Sequence, residues 1–212
     1  MDNRVKQTMS ALEKNNISAF YVDTKAEVVP LIETLTKAGD TVSVGGSMSL
    51  FECGVIEYLR NGKFNFLDRY KEGLSPDDIE DIYRKTYFAD VYFCSSNAVT
   101  EQGELYNVDG NANRVSAICY GPKSVIMVVG VNKIVKDIDE AVLRVKNIAA
   151  PLNAKRLSCD TYCAKMGKCV KNDPTYDGCD STGRICRTRV ICGSQRVKGR
   201  IKVIFVGENV GY

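Results

Sequence analysis

The run Val125–Val131 (VIMVVGV) contains no polar side chain. A strand with one wet face alternates apolar and polar residues, so a run apolar on both sides predicts a strand buried on both faces. Val115–Tyr120 (VSAICY) reads as a second buried strand, and Ile201–Val206 (IKVIFV) closes the chain as a last one. Shorter candidates are Ile17–Val22, Thr41–Val44, Phe64–Leu67 and Ala89–Cys94. Helical patterns lie between them. Val5, Met9 and Leu12 repeat at helical spacing over residues 3–16, and Thr24 with Glu27 forms a capping box for a helix that Pro30 kinks or delays. Ser75-Pro76-Asp77-Asp78 is a strong helix start, with Ile79, Ile82, Tyr83 and Phe88 as core candidates. Asp137 with Glu140 opens a helix whose stripe is Ile138, Ala141, Val142, Val145, Ile148 and Ala149, and which Pro151 breaks or kinks. Strand and helix in alternation predict an α/β fold, with a mostly parallel sheet covered by helices on both faces. At 212 residues the chain suits one such domain over 1–212, with a cysteine-rich insertion at 159–192 before the last strand.

Two stretches carry the candidate chemistry. Gly45-Gly46-Ser47-Met48-Ser49 follows a strand and precedes a helix expected over about residues 50–59, with Ser49 and Glu52 as its capping box. Glycines there let the chain turn and let a ligand approach backbone N–H groups at a helix start. The functional reading is an anion or phosphate cradle; an ordinary strand-to-helix turn is the alternative. The second stretch, Cys94–Lys133, packs small hydrogen-bonding residues into a polar run expected to be a loop beyond a strand end. Ligands of open parallel sheets bind at such carboxyl ends. Ser96, Asn97, Thr100, Glu101, Gly103, Asn107, Asp109, Gly110, Asn113 and Arg114 are the candidates in it. Asp109-Gly110 also reads as a turn, and Arg114 as the partner of an acid.

With no histidine, the chain can form no Ser-His or Cys-His pair and no His-ligated zinc. Acid–base work falls to Glu, Asp, Lys, Tyr or Cys, and Glu101 and Asp109 are the predicted catalytic pair. The net charge of +3 is too small to argue for nucleic acid, and the late basic residues, Arg184 to Lys202, read as a solvated face. No apolar run approaches the roughly 18 residues of a membrane span. MDNRVKQTMS lacks the apolar core of a signal peptide, which predicts a cytoplasmic protein. In that compartment the cysteines are thiols or metal ligands rather than disulfides. Six of the nine fall between Cys159 and Cys192; no Cys-x-x-Cys occurs among them, but six thiols in 34 residues exceed chance and point to a metal site, with free thiols in a flexible loop as the alternative. Cys53, Cys94 and Cys119 are expected in the core.

SSNAVTEQGELYNVDGNANRV, YGPKSVIMVVGVNKIV, RVKNIAAPLNAKRL and, earlier, VGGSMSL together resemble the lactate-utilisation (LUD) domain family over most of the chain. The resemblance implies a fold similar to the sugar-isomerase and CoA-transferase (NagB/RpiA-like) superfamily, and a homodimer. It also implies a part in oxidising lactate to pyruvate, with iron–sulfur proteins as partners and a small anionic metabolite as ligand. Glu101-Gln102-Gly103 is similar to the Glu-x-Gly setting of a CoA-transferase nucleophile, which keeps a transferase or isomerase reading open, as does a non-catalytic redox or assembly module. Related LUD proteins carry a cysteine run before an equivalent of Arg184-Ile185-Cys186, and this chain inserts KNDPTYDG into it. The expected ligands of zinc or an iron–sulfur cluster are Cys163, Cys169, Cys179 and Cys186.

Overall fold

The computed structural model describes residues 1–212. Its strands are β1 (Ser18–Val22), β2 (Thr41–Val44), β3 (Asn65–Leu67), β4 (Val91–Cys94), β5 (Ala98–Thr100), β6 (Leu105–Asp109), β7 (Ser124–Gly130), β8 (Ile134–Val135), β9 (Thr188–Cys192) and β10 (Ile201–Val206). The helices are α1 (Asn3–Lys14), α2 (Val28–Leu35), α3 (Met48–Glu52), α4 (Val55–Leu59), α5 (Pro76–Lys85), α6 (Asn113–Cys119), α7 (Ile138–Arg144), α8 (Ala150–Arg156) and α9 (Tyr162–Met166).

Six strands form one wholly parallel sheet in the order β1-β10-β7-β4-β2-β3. Central strands β7 and β10 are paired over their whole length, with Met127 beside Val203 and Val129 beside Phe205. Because side chains alternate along a strand, β7 feeds two cores. Ile126 and Val128 pack on one face with Ile32, Leu50 and Ile204; Val125, Met127 and Val129 pack on the other with Leu12, Tyr92 and Phe205. Each such side chain contributes about 1.5–3 kcal/mol by leaving water. The absence of a polar residue from Val125–Val131 thus has a direct cause: neither face meets solvent. No helix of the chain is long and apolar enough to cross a membrane.

The sequence misleads at five places. The stretch after β4 is not a long loop: β5 and β6 form a hairpin inside a second sheet of order β8-β5-β6-β9. Its polar residues are buried and bonded to one another, so composition looked like a loop. Val115–Tyr120 is helical, as α6, because Val115, Ala117 and Ile118 meet the core at helical spacing; a six-residue apolar run cannot distinguish the two states by periodicity. Cys119, at the end of α6, is consequently exposed. Beyond β2 the expected helix is two short ones, α3 and α4, parted at Gly54, whose φ of 69° only glycine adopts freely. No Ser49–Glu52 capping box forms, because Ser49 bonds elsewhere and Glu52 accepts from the Gly211 N–H at 2.9 Å. Phe88 is 87% exposed, and Thr86 takes the buried position beside Ser43, Oγ to Oγ1 2.6 Å. Finally, Pro151 does not end its helix. A π-helical turn over Val145–Ala149 precedes it, and that shift of register turns Ile148 outward.

Candidate functional site

The carboxyl ends of β2, β4 and β7 open on a cavity of about 220 Å³. Gly46, Ser47 and Met48 line it after β2; Ser95, Ser96 and Asn97 after β4; Lys133 after β7. Val108, Asp109, Gly110, Asn113 and Arg114 come from the hairpin and the start of α6. Arg69 and Tyr83 close one side, and Asn153, Arg156 and Tyr212 the other. Four basic side chains, those of Arg69, Arg114, Lys133 and Arg156, line the cavity with a single carboxylate, Asp109.

Arg114 organises one wall. Its Nη1 donates to Asn107 Oδ1 at 2.6 Å and to the Ser95 carbonyl at 3.1 Å; its Nη2 donates to Asn97 Oδ1 and the Val108 carbonyl, both at 2.8 Å. Asn107, fully buried, donates in turn to Ser96 Oγ at 3.2 Å. Asp109 Oδ2 lies 3.6 Å from Arg114 Nε, and its Oδ1 accepts from the Asn111 N–H at 3.1 Å. A guanidinium holding four acceptors at once shapes the hairpin more than it offers itself to a ligand. Gly45 belongs to the same packing: a Cβ there would sit 2.7 Å from the Tyr92 hydroxyl and 3.0 Å from the Arg114 side chain. Gly46, by contrast, lines the cavity, and a Cβ there would meet only Tyr70 Oη at 3.9 Å and Arg69 Nη1 at 4.0 Å, ordinary van der Waals contact.

Two residues of the lining each carry a buried polar atom without a partner: Ser47 Oγ and Arg69 Nε. Ser47 caps α3 by position only, without a side-chain hydrogen bond, and α3 is too short to act as a dipole cradle. Arg69 stacks on Tyr83, its guanidinium carbon 4.8 Å from the ring centre. Arg156 is braced by Tyr212 Oη at 2.8 Å and by Asn153 Oδ1. Lys133 Nζ donates to Ser49 Oγ at 2.9 Å and Ser95 Oγ at 3.1 Å. Burial first, then the charges of Arg144 and Arg114, push its pKa down to about 7. Arg144, which donates to the Asn97 carbonyl at 2.6 Å, is itself lowered to about 10 by burial.

Five candidates from the sequence lie outside the lining of this cavity: Gly45 and Asn107, which pack behind it around Arg114, and Glu101, Thr100 and Gly103. Glu101 turns to the surface and pairs with Arg4, Oε1 to Nε 2.7 Å, at the tip of the hairpin. Thr100 bonds Glu104, and Gly103 (φ 80°) abuts α1 so closely that a Cβ would lie 2.6 Å from the Ala11 backbone. Glu101-Gln102-Gly103 is therefore a hairpin turn docked on α1. Sequence reasoning passed over Arg69, Tyr83, Ser95, Lys133, Asn153, Arg156 and Tyr212. Lys133 alone carried a signal, a lysine two residues past the wholly apolar run Val125–Val131.

The tail packs against the second sheet through β9, and the Cys169 N–H donates to the Lys146 carbonyl at 3.0 Å. Cys163, Cys169, Cys179 and Cys186 all line one small cavity of about 30 Å³, with Lys146 and Arg184. Arg184 Nε donates to Cys186 Sγ at 3.1 Å. Burial works to raise the Cys179 thiol, but hydrogen bonds at Ser181 and the Arg184 charge outweigh it and hold it below its ordinary value. No three Cys, Asp or Glu side chains are set close enough to share a metal ion. Val108 and Ile185 line both cavities, so one residue's thickness separates them.

Comparison with known proteins supports one family. No curated protein matches the chain. A solved structure, that of a DUF162-family protein from Deinococcus radiodurans, aligns with a TM-score of 0.52 at 18% identity and covers 96% of each chain. At that identity it establishes a shared fold. The sequence model of the LUD domain matches residues 5–206. That span takes in both sheets and every residue of the first cavity except Tyr212, and the chain belongs to the LUD-domain family.

Proposed function

We propose that the first cavity holds a small organic anion, a carboxylate or a phosphorylated metabolite, and that the chain serves organic-acid metabolism of the lactate-utilisation kind. Membership of the LUD-domain family supports the general role. The observation that carries the ligand class is the pair of orphaned donors. Buried polar groups without partners are rare and costly, of the order of 1–3 kcal/mol each. Ser47 Oγ and Arg69 Nε both meet that description, and their residues line a cavity with three arginines and one acid. An anion that accepts from both removes the cost, and Arg156 stands braced for a second oxygen. Thermal-shift measurements with lactate, pyruvate and phosphorylated metabolites test the reading, since a ligand that binds only the folded chain raises its melting temperature.

The four thiols favour a second reading, in which the tail adds a metal centre beside the anion. Sulfur donors suit zinc or an iron–sulfur cluster, and Arg184 and Lys146 offset thiolate charge. The thiols would have to draw together from their places on the cavity wall. A redox centre there would stand next to the organic acid across Val108 and Ile185, and iron–sulfur proteins would be its electron partners. Metal analysis of anaerobically purified protein decides this reading independently of the first.

A further inference from the structure

Lys133 is 3% exposed and makes no ion pair, yet it lines the anion cavity. The serine hydrogens have acceptors other than the lysine. Ser49 Oγ donates its hydrogen to the Val210 carbonyl at 3.3 Å or to Ser95 Oγ at 3.5 Å, and Ser95 Oγ donates to the Ser96 carbonyl at 3.3 Å. With their hydrogens engaged, both hydroxyl oxygens act as acceptors, and Nζ supplies the hydrogen to each. A neutral amine has two N–H bonds. Spending both on serines leaves one lone pair, which is the state a nucleophilic lysine needs. A lysine kept only for packing would gain nothing from this arrangement, because an apolar side chain would fill the space without a desolvation cost. Arg114 and Arg144 bias the group towards the uncharged form, while Glu52 and Cys53 oppose them weakly.

We propose that Lys133 is a nucleophile that forms an imine with the carbonyl carbon of a small 2-oxo acid held in the cavity. The proposal rests on the reading that this cavity takes an organic anion. Arg69 and Arg156 are the groups for the carboxylate, and a 2-oxo acid puts its carbonyl one bond from that carboxylate. The lysine lone pair forms the new C–N bond as the carbonyl π pair moves to oxygen and takes up a proton. The carbinolamine then loses that oxygen as water. Both amine hydrogens leave with it, so amine plus carbonyl gives imine plus water, with no oxidant or reductant. The imine draws electrons from the neighbouring carbon, the chemistry lysine supplies in enzymes that act beside a carbonyl.

Borohydride trapping tests this with the full chain. The protein is incubated with pyruvate, glyoxylate or 2-oxobutyrate, reduced with sodium borohydride and mapped by peptide mass spectrometry. The expected product is a single adduct on Lys133, with the mass of the acid less water plus two hydrogens. It is expected to be absent with lactate, which has no carbonyl, and absent from Lys133→Arg and Lys133→Met. An adduct on another lysine, or none with any of the three acids, overturns the proposal. Mapping on the wild-type chain locates the adduct even if a variant fails to fold. Calorimetry with the same acids separates the two claims. Binding without an adduct rejects the imine and leaves the anion site standing; an adduct with a triose phosphate but no 2-oxo acid rejects the carboxylate assignment.

Discussion

Arg114 Nη1 donates to Asn107 Oδ1 across 2.6 Å, and both side chains are shut away from solvent. This contact ties the start of α6 to the hairpin and so fixes the wall from which Asp109 and Asn113 face the cavity. Arg114→Met would strand the Asn107 side-chain oxygen and take a donor from the Ser95 and Val108 carbonyls and from Asn97 Oδ1, which keeps only the Val108 N–H. Unfolding in urea is expected to show a loss of at least about 3 kcal/mol. Arg114→Lys is expected to recover little of it, since an ammonium cannot reproduce the planar fork. A variant as stable as the wild type would show that this network does not hold the wall.

Glu101 behaves as a surface residue in this account. Its pair with Arg4 is half exposed, and such pairs contribute about 0–1 kcal/mol. Glu101→Gln is expected to leave ligand-induced thermal shifts unchanged and to cost less than about 1 kcal/mol of stability. If the substitution abolished ligand binding or turnover, the transferase-like reading would return.

The buried lysine makes stability depend on pH in a definite direction. The folded chain releases the Lys133 proton near pH 7, while the unfolded chain keeps it to about 10.5. Between those values the unfolded state binds more protons, so stability rises with pH. Burial raises Cys53, Cys94 and Cys192 above their ordinary 9.0, and these thiols oppose the trend once the unfolded chain begins to ionise there. The clean window is therefore pH 7 to 8, where the half-titrated lysine gives an expected gain of about 1 kcal/mol before the thiols intervene. Lys133→Met should flatten the slope. A wild-type slope of zero would mean that the lysine keeps its proton in the folded state.

For the tail, protein purified without oxygen or chelators is expected to carry zinc or iron in proportion to chain. Replacing Cys163 and Cys186 together by Ser should remove it. Metal content unchanged in that double variant, or none in the wild type, would count against a centre held by these four thiols.

Much of this molecule was legible in advance because burial on both faces leaves a plain mark. Val125–Val131 and Ile201–Val206 announced the centre of a parallel sheet, and it is there. The hairpin at 98–109 was not legible, because Asn107 and Ser96 are polar residues at core positions, and only the partner supplied by Arg114 makes them tolerable. The cavity was half legible. The turns after β2 and β4 declared themselves through glycine, serine and asparagine. Arg69, Arg156 and Tyr212 reach it from segments far apart in sequence, and nothing local to them marks that convergence.

Ser47 and Arg69 are the residues proposed to receive the anion. The most direct measurement is the melting temperature of the wild type, Ser47→Ala and Arg69→Met with each member of a panel of small carboxylates and phosphorylated metabolites. At a concentration about a hundred times its dissociation constant, a ligand adds about 2.7 kcal/mol and a clear rise in melting temperature. The account predicts such a rise for the wild type with at least one anion, a smaller one for Ser47→Ala, and none for Arg69→Met. No shift with any anion, or an equal shift in the wild type and Arg69→Met, would contradict it.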